Sequence, residues 1–349
     1  MNTQIALLLG QDGVTSGAIY ALLALSIVLV FSVTRVLLVP QGEFVTFGAM
    51  SMAAMQAGQP LRLVWLLLGL AALRLLLRLV EALRGRGRPD MPALSWRDGL
   101  ELGGALALAA LLHAVDLREA PQLLQVAIAL LLVVPLGPWL YDLCFRPIAS
   151  AHGLVLLIVS IALHVVLVGL ALMMFGAEGA RTRPFSEAVF ELGTVRLQAQ
   201  TLWVLAVTAG LIAALYVGFE RTLAGKALQA TAVSRLGAQL MGISPTAAGR
   251  TSFALAALIG ALSGVLIAPV TTLYYDSGFL ISLKGFVGAV VGGLASFPVG
   301  AAGALGVGLV EAFSTFWASA WKEVVVFTLI LPVLLWRSLA AGHREEEHA

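Results

Sequence analysis

ERTLAGKALQATAVSRLGAQLMGISPTAAGR, residues 220–250, is the stretch that organises the chain. It is the one long polar segment of the second half that is neither apolar enough to cross a bilayer nor broken enough to be a plain loop. Lys and Arg stand at 221, 226, 235 and 250, with Glu220 the only acid. That bias puts the segment on the cytoplasmic side of a membrane. No proline interrupts it before Pro245, and Ala227, Ala230, Ala232 and Ala238 favour helix. A cytoplasmic surface helix set between membrane spans is therefore predicted.

The composition demands those spans. The chain of 349 residues is 60% hydrophobic and 11% charged, with a mean hydropathy of +0.97. Soluble domains carry about 25% charged residues, so this is an integral membrane protein whose partners include the lipid bilayer. A net charge of +2 says little, because the charges are sorted by side of the membrane. Nucleic acid is not an expected partner, since no basic cluster is interleaved with aromatics. The single cysteine, Cys144, excludes an intramolecular disulfide and a cysteine-based metal site. No Lys or Arg precedes Arg35, and the apolar run Gly13 to Val33 exceeds a signal-peptide core of about 7–15 residues. It is expected to remain as the first transmembrane helix.

Runs near the length needed to cross the hydrocarbon, about 20 residues, fall at 14–33, 43–57, 61–82, 99–115, 121–143, 152–175, 198–219, 251–273, 284–297, 299–318 and 322–339. The fold class is an all-α polytopic bundle of about 8–11 membrane segments, read as a single domain over 1–349. Alternation from a periplasmic N-terminus to a cytoplasmic C-terminus puts 14 of the 21 Lys and Arg inside, Arg74 and Arg78 near the inner end of their span among them, and 7 outside. Two segments are short and glycine-broken: 43–57, with Gly48, and 284–297, with Gly285, Gly288, Gly292 and Gly293. Such pairs point to the transport path of a transporter, and both are read as half-spanning helices that line it. The alternative is short packed spans whose glycines only admit close approach. Residues 84–98 read as a cytoplasmic connector, 177–197 as the longest outward-facing segment, and 342–349 as a disordered acidic tail.

No catalytic set is visible. No two of the histidines His113, His152, His164, His343 and His348 stand at i, i+3 or i, i+4 spacing with an acid, as a helical metal site would need. Gly225-Lys226 is followed by Ala227, and Glu220 occupies the place of the first glycine of a phosphate-binding loop. The chain is expected to bind no cofactor or metal and to hydrolyse nothing itself. Charged groups within apolar runs are the informative ones, because they face a cavity or a partner. Glu311 lies inside a span, and Glu43 and Lys284 each begin a short segment beside Gly and Phe. Tyr20, Phe44 and Phe286 supply a candidate apolar lining. With Gly48 and Gly288 these residues make up the candidate translocation path.

Several motifs together resemble a known family. They are Gly17-Ala18-Ile19-Tyr20-Ala21-Leu22, Gly42-Glu43-Phe44 with Gly48-Ala49, Arg146-Pro147, the 220–250 stretch, and the glycine-rich run to Glu311. The resemblance is to the permease subunits of branched-chain amino-acid importers of the ATP-binding-cassette type, the LivH-like subunits. It covers residues 12–58 and 139–337 and leaves 60–120 unmatched. Leu236-Gly237-Ala238 and Gly242 sit where such permeases carry a Glu-Ala-Ala-x-x-x-Gly loop, with Leu236 in place of the Glu; Gln41 replaces a family His. The resemblance implies that 220–250 is a coupling segment docked on an ATPase, with Gly225, Lys226, Arg235, Gly237, Ala238, Gly242 and Ile243 as coupling residues. It further implies two ATPase subunits holding ATP and Mg, a second permease (a related chain or a copy of this one), a periplasmic substrate-binding protein, and a bacterial inner membrane. The implied substrates are leucine, isoleucine and valine, while similar permeases carry urea, short amides or aromatic acids. A stand-alone transporter or channel would need an ion relay, for which the spans offer mainly Glu311, His164 and Glu43.

Overall fold

The apolar run that opens the chain forms α1 (Thr3–Thr34), which starts well before residue 14. The computed structural model describes residues 3–83, 96–115, 117–192, 195–294, 296–335 and 339. After α1 come α2 (Gln41–Ala57), α3 (Leu63–Leu83), α4 (Trp96–Ala114) and α5 (Gln122–Val133). α5 continues through α6 (Leu136–Leu140), a π-helical turn (Tyr141–Phe145) and a 3-10 turn (Arg146–Ile148). Then follow α7 (Gly153–Phe175), an antiparallel hairpin of β1 (Val189–Leu192) and β2 (Val195–Gln198), and α8 (Ala199–Arg221). The last elements are α9 (Leu223–Val233), α10 (Arg235–Leu240), α11 (Pro245–Ile267), α12 (Ser277–Val291), α13 (Phe297–Ala318) and α14 (Lys322–Thr328). Among the described residues seven helical runs are long and apolar enough to cross a membrane, and shorter apolar helices, α12 among them, accompany them. The all-α polytopic bundle is thus the observed architecture.

α1 is the axis of the core. It packs against α13, α11 and α12, and its middle, from Ala18 to Val30, is buried on all sides. α2 lies alongside α11 and is buried from Gln41 to Met55. α2 and α12 meet start to start: the backbone at Gly42 lies against the backbone at Gly278, so a side chain at either would occupy the other's space. α7 and α8 turn apolar side chains such as Val165 and Val217 outward, as a lipid-facing surface does.

Besides the start of α1, three predicted boundaries change in ways that bear on the site. The segment expected at 284–297 is α12, which starts at Ser277 and ends in a turn at Gly292–Leu294, so Lys284 sits in mid-helix rather than at a segment end. Residues 220–250 are not one helix. Glu220 and Arg221 close α8, Pro245–Arg250 open α11, and α9 and α10 lie between. The breaks fall at Thr222, Ser234 and Ser244, whose hydroxyls accept from the backbone N–H of Gly225, Gly237 and Ala247. These are N-caps, a local preference that outweighs the helix propensity of the alanines. Third, α4 begins at Trp96 rather than 99. The rest of the 84–98 connector and the 342–349 tail lie outside the described residues.

Candidate translocation path and coupling surface

Four helices place one charged group each, or a phenol, at a single point. Lys284 of α12 donates to Glu311 Oε1 of α13 at 2.6 Å and to Glu323 Oε1 of α14 at 3.1 Å. The Tyr20 hydroxyl of α1 donates to Glu311 Oε2 at 2.6 Å, and the lysine nitrogen lies 5.9 Å from the centre of the Tyr20 ring. The Lys284 side chain is 7% exposed, Glu311 14% and Glu323 36%. One cation faces two carboxylates, so the phenol donor shares in satisfying Glu311. Buried charges persist only when paired and hydrogen-bonded. The structure thus brings together Tyr20, Lys284 and Glu311, and adds Glu323, which the sequence reading missed. Its signal was present, as an acid beside Lys322 at the head of an apolar run.

The second group lies where α2 and α12 begin. Glu43, 1% exposed, bonds through Oε1 to Nδ1 of His164 on α7 at 2.7 Å. The His164 ring sits 4.5 Å from that of Phe279. Gln41 donates to the Ala256 carbonyl at 3.0 Å, and Thr46 Oγ1 accepts from Gly278 N–H at 3.1 Å. Glu43 Oε2 and Gln41 Oε1 are buried acceptors without a donor among the described residues. Neither N-cap residue, Pro40 of α2 or Asp276 of α12, makes a side-chain cap, and the start of α12 is capped from α2 by Thr46 instead. Of the remaining path candidates, Phe44 is fully buried beside Gly260 and Gly48 lies on Ala261. Gly288 lies on Ala304, and Phe286 is partly buried against the α1 core.

A third cluster was not foreseen. Arg74 of α3 pairs with Glu101 of α4 and, at 3.2 Å, with Asp142 of the π-helical turn. Arg250, near the start of α11, reaches Glu101 at 3.5 Å and Asp142 at 3.4 Å. Trp139 Nε1 donates to Glu101 at 3.0 Å. The sequence reading counted Arg74 only as an inner-side charge; its ion pairs tie the 60–120 segment to the rest.

Within 220–250, Gly225 is buried against Gly218 and Phe219 of α8, and Ala238 is buried as well. Arg235 turns inward. Its guanidinium donates to the carbonyls of Val33 and Thr34 at the end of α1 and to that of Ala149. A cation at a helix C-terminus satisfies carbonyls that the helix leaves open. α10 ends on Gly242 at φ 79°, with Ile243 N–H bonded to Ala238 O and Gly242 N–H to Gln239 O. This is a Schellman closure, which needs a left-handed residue that glycine adopts without strain. Gly237 donates to the Ser234 cap, Ile243 is half-buried, and Lys226 is exposed. The outward face carries Leu223, Val233, Leu236, Leu240 and Met241, the last 81% exposed. Large apolar side chains exposed on so short a polar segment make it a candidate protein-interaction surface. Among the described residues no group of three or more His, Cys, Asp or Glu is arranged to hold a metal.

Residues 90–334 match the family model described as the permease component of the branched-chain amino acid transport system. The match takes in the later part of the 60–120 segment. The high-affinity branched-chain amino acid transport system permease protein LivH of Escherichia coli K12 is 27% identical over 202 residues, 55% of this chain and 64% of the relative. LivH of Salmonella typhimurium is 28% identical over 203 residues, with the same coverage. The permease protein BraD of the corresponding Pseudomonas aeruginosa system is 26% identical over 245 residues, 68% of this chain and 80% of the relative. The chain therefore spans less than two thirds of the LivH relatives it matches. No solved structure matches it.

Proposed function

The chain belongs to the family of permease components of branched-chain amino acid transport systems, and from that premise we propose that it is the membrane subunit of an ATP-binding-cassette importer. Two separate ATPase subunits, holding ATP and Mg, dock on α9 and α10 from the cytoplasm of a bacterial inner membrane. A second permease completes the path, and a periplasmic binding protein delivers the solute. The observation that carries this reading is the apolar outward face of α9–α10 joined, through inward-facing Arg235, to the end of α1. The exposed Leu236 at the family's Glu position fits apolar docking rather than an ion pair.

A push on α10 passes through Arg235 to α1. α1 carries Tyr20, which bonds Glu311 and through it Lys284. Displacement of α1 therefore strains the Tyr20–Glu311–Lys284–Glu323 group, a discrete set of contacts of the kind that gives two states rather than a continuum. The solute favoured is a branched-chain amino acid. Its ammonium suits the acceptors Glu43 Oε2 and Gln41 Oε1.

The test is ATP turnover by the chain co-expressed with its ATPases in lipid discs, with binding protein loaded with leucine, urea or an aromatic acid. Stimulation by the leucine-loaded protein is expected, and Arg235→Ala should keep ATP turnover while losing uptake. Failure of any ATPase to associate with a folded sample would overturn the importer reading. Stimulation by urea or an aromatic acid alone would overturn the substrate.

A further inference from the structure

We propose that the start of α3 is a binding site for an anionic phospholipid, held with its phosphate at Arg62 and an acyl chain in the groove between α3 and α7. Two cavities meet there. One, of about 650 Å³, is walled by the loop from Gly58 to Arg62 and by the end of α4 near Leu112 and Val115. The other, of about 500 Å³, is an apolar groove between Leu66, Leu70 and Leu73 of α3 and Leu170, Met173 and Met174 of α7. Arg62 and Trp65 line both. The first is bordered by the polar loop that holds Gln59 and Arg62; the second, apart from Arg62, is lined by apolar side chains and Gly69.

Dimensions and charge agree with one lipid. From Arg62 to Leu73 the helix rises ~16 Å, about half of a ~30 Å hydrocarbon core, the depth of one leaflet. Leu170 to Met174 lie at the end of α7, so both walls belong to that leaflet. Trp65, 70% exposed, stands one turn below Arg62, at the level where indoles gather in membranes. Nothing lies within 4 Å of the place where a Cβ of Gly69 would be, which leaves the groove open at its midpoint. The two methionines provide an adaptable wall. Among the described residues no Asp or Glu lines either cavity. Arg62 makes no ion pair among the described residues. A phosphodiester without a balancing choline is the headgroup that this charge favours.

The full chain, reconstituted in vesicles, carries its own reporter in Trp65. Fluorescence quenching by brominated phosphatidylglycerol is compared with quenching by brominated phosphatidylcholine of identical chains, and the Trp65 share is obtained by difference from Trp65→Phe. Half-quenching should occur at a mole fraction on the order of fivefold lower for phosphatidylglycerol. Arg62→Gln should abolish the preference and Arg62→Lys should keep it. Gly69→Phe, which fills the groove without changing charge, should weaken quenching by both lipids. Equal quenching by the two lipids in the unaltered chain overturns the proposal, as does a preference that survives Arg62→Gln.

Discussion

The cluster at Lys284 and the cluster at Arg74 are both buried networks of opposite charges, yet they are built on opposite terms. At Lys284 one cation serves two carboxylates and a phenol, on α1, α12, α13 and α14. At Arg74 three arginines, counting Arg146, serve two carboxylates. In each the inner pair is nearly closed off, Lys284 and Glu311 in one and Arg74 and Asp142 in the other, while Glu323 in the first and Glu101 and Arg250 in the second are about one third exposed. A network with a single cation depends on that cation. One with several cations tolerates the loss of one, because the others still face the carboxylates.

The contrast orders the consequences of breaking each network. Lys284→Met leaves Glu311 and Glu323 uncompensated, and stability should fall by about 3–5 kcal/mol, read as thermal unfolding in lipid discs. The double variant Lys284→Met/Glu311→Gln should recover much of that, and a double no better than the single would break the picture of a coupled pair. Arg74→Met should cost less, roughly 1–3 kcal/mol, since Arg250 and Arg146 still neutralise Asp142; a loss equal to that of Lys284→Met would erase the contrast. Tyr20→Phe removes one donor from Glu311 and should cost about 0.5–1.5 kcal/mol in the same assay. The smallest effect is expected for Glu323→Gln, which removes the surplus negative charge and keeps an oxygen for Lys284. Unfolding temperatures should barely move, and a drop as large as that of Tyr20→Phe would show both carboxylates to be needed.

Sequence alone made the bundle legible, because spans are written in local hydropathy. It also marked Tyr20, Lys284 and Glu311, since a charge inside an apolar run is conspicuous wherever its partner lies. What it did not show is that these groups meet, because convergence depends on how α1, α12, α13 and α14 pack. Arg74 was absorbed into the count of inner positive charges, a rule that reads side of membrane and is blind to pairing. The coupling stretch was misread as continuous for a different reason. Alanine content argued for helix, while Thr222, Ser234 and Ser244 were single residues whose capping role needs the observed hydroxyl-to-N–H bonds to stand out. The inward turn of Arg235 and the burial of Ala238 likewise follow from packing on the end of α1 and not from composition.

The Lys284 pairing also bears on how the chain enters its membrane during synthesis. α12 has only 15 residues and a lysine at its middle. Placing such a charge at mid-bilayer costs about 2.5–3.5 kcal/mol on insertion scales. Its partners are 27 and 39 residues further along the chain and reach the translocon later. A solitary α12 is thus a poor substrate for lateral release into lipid, and the charge balance favours delivery of Ser277 to Leu335 as one block, with the lysine neutralised before it meets hydrocarbon.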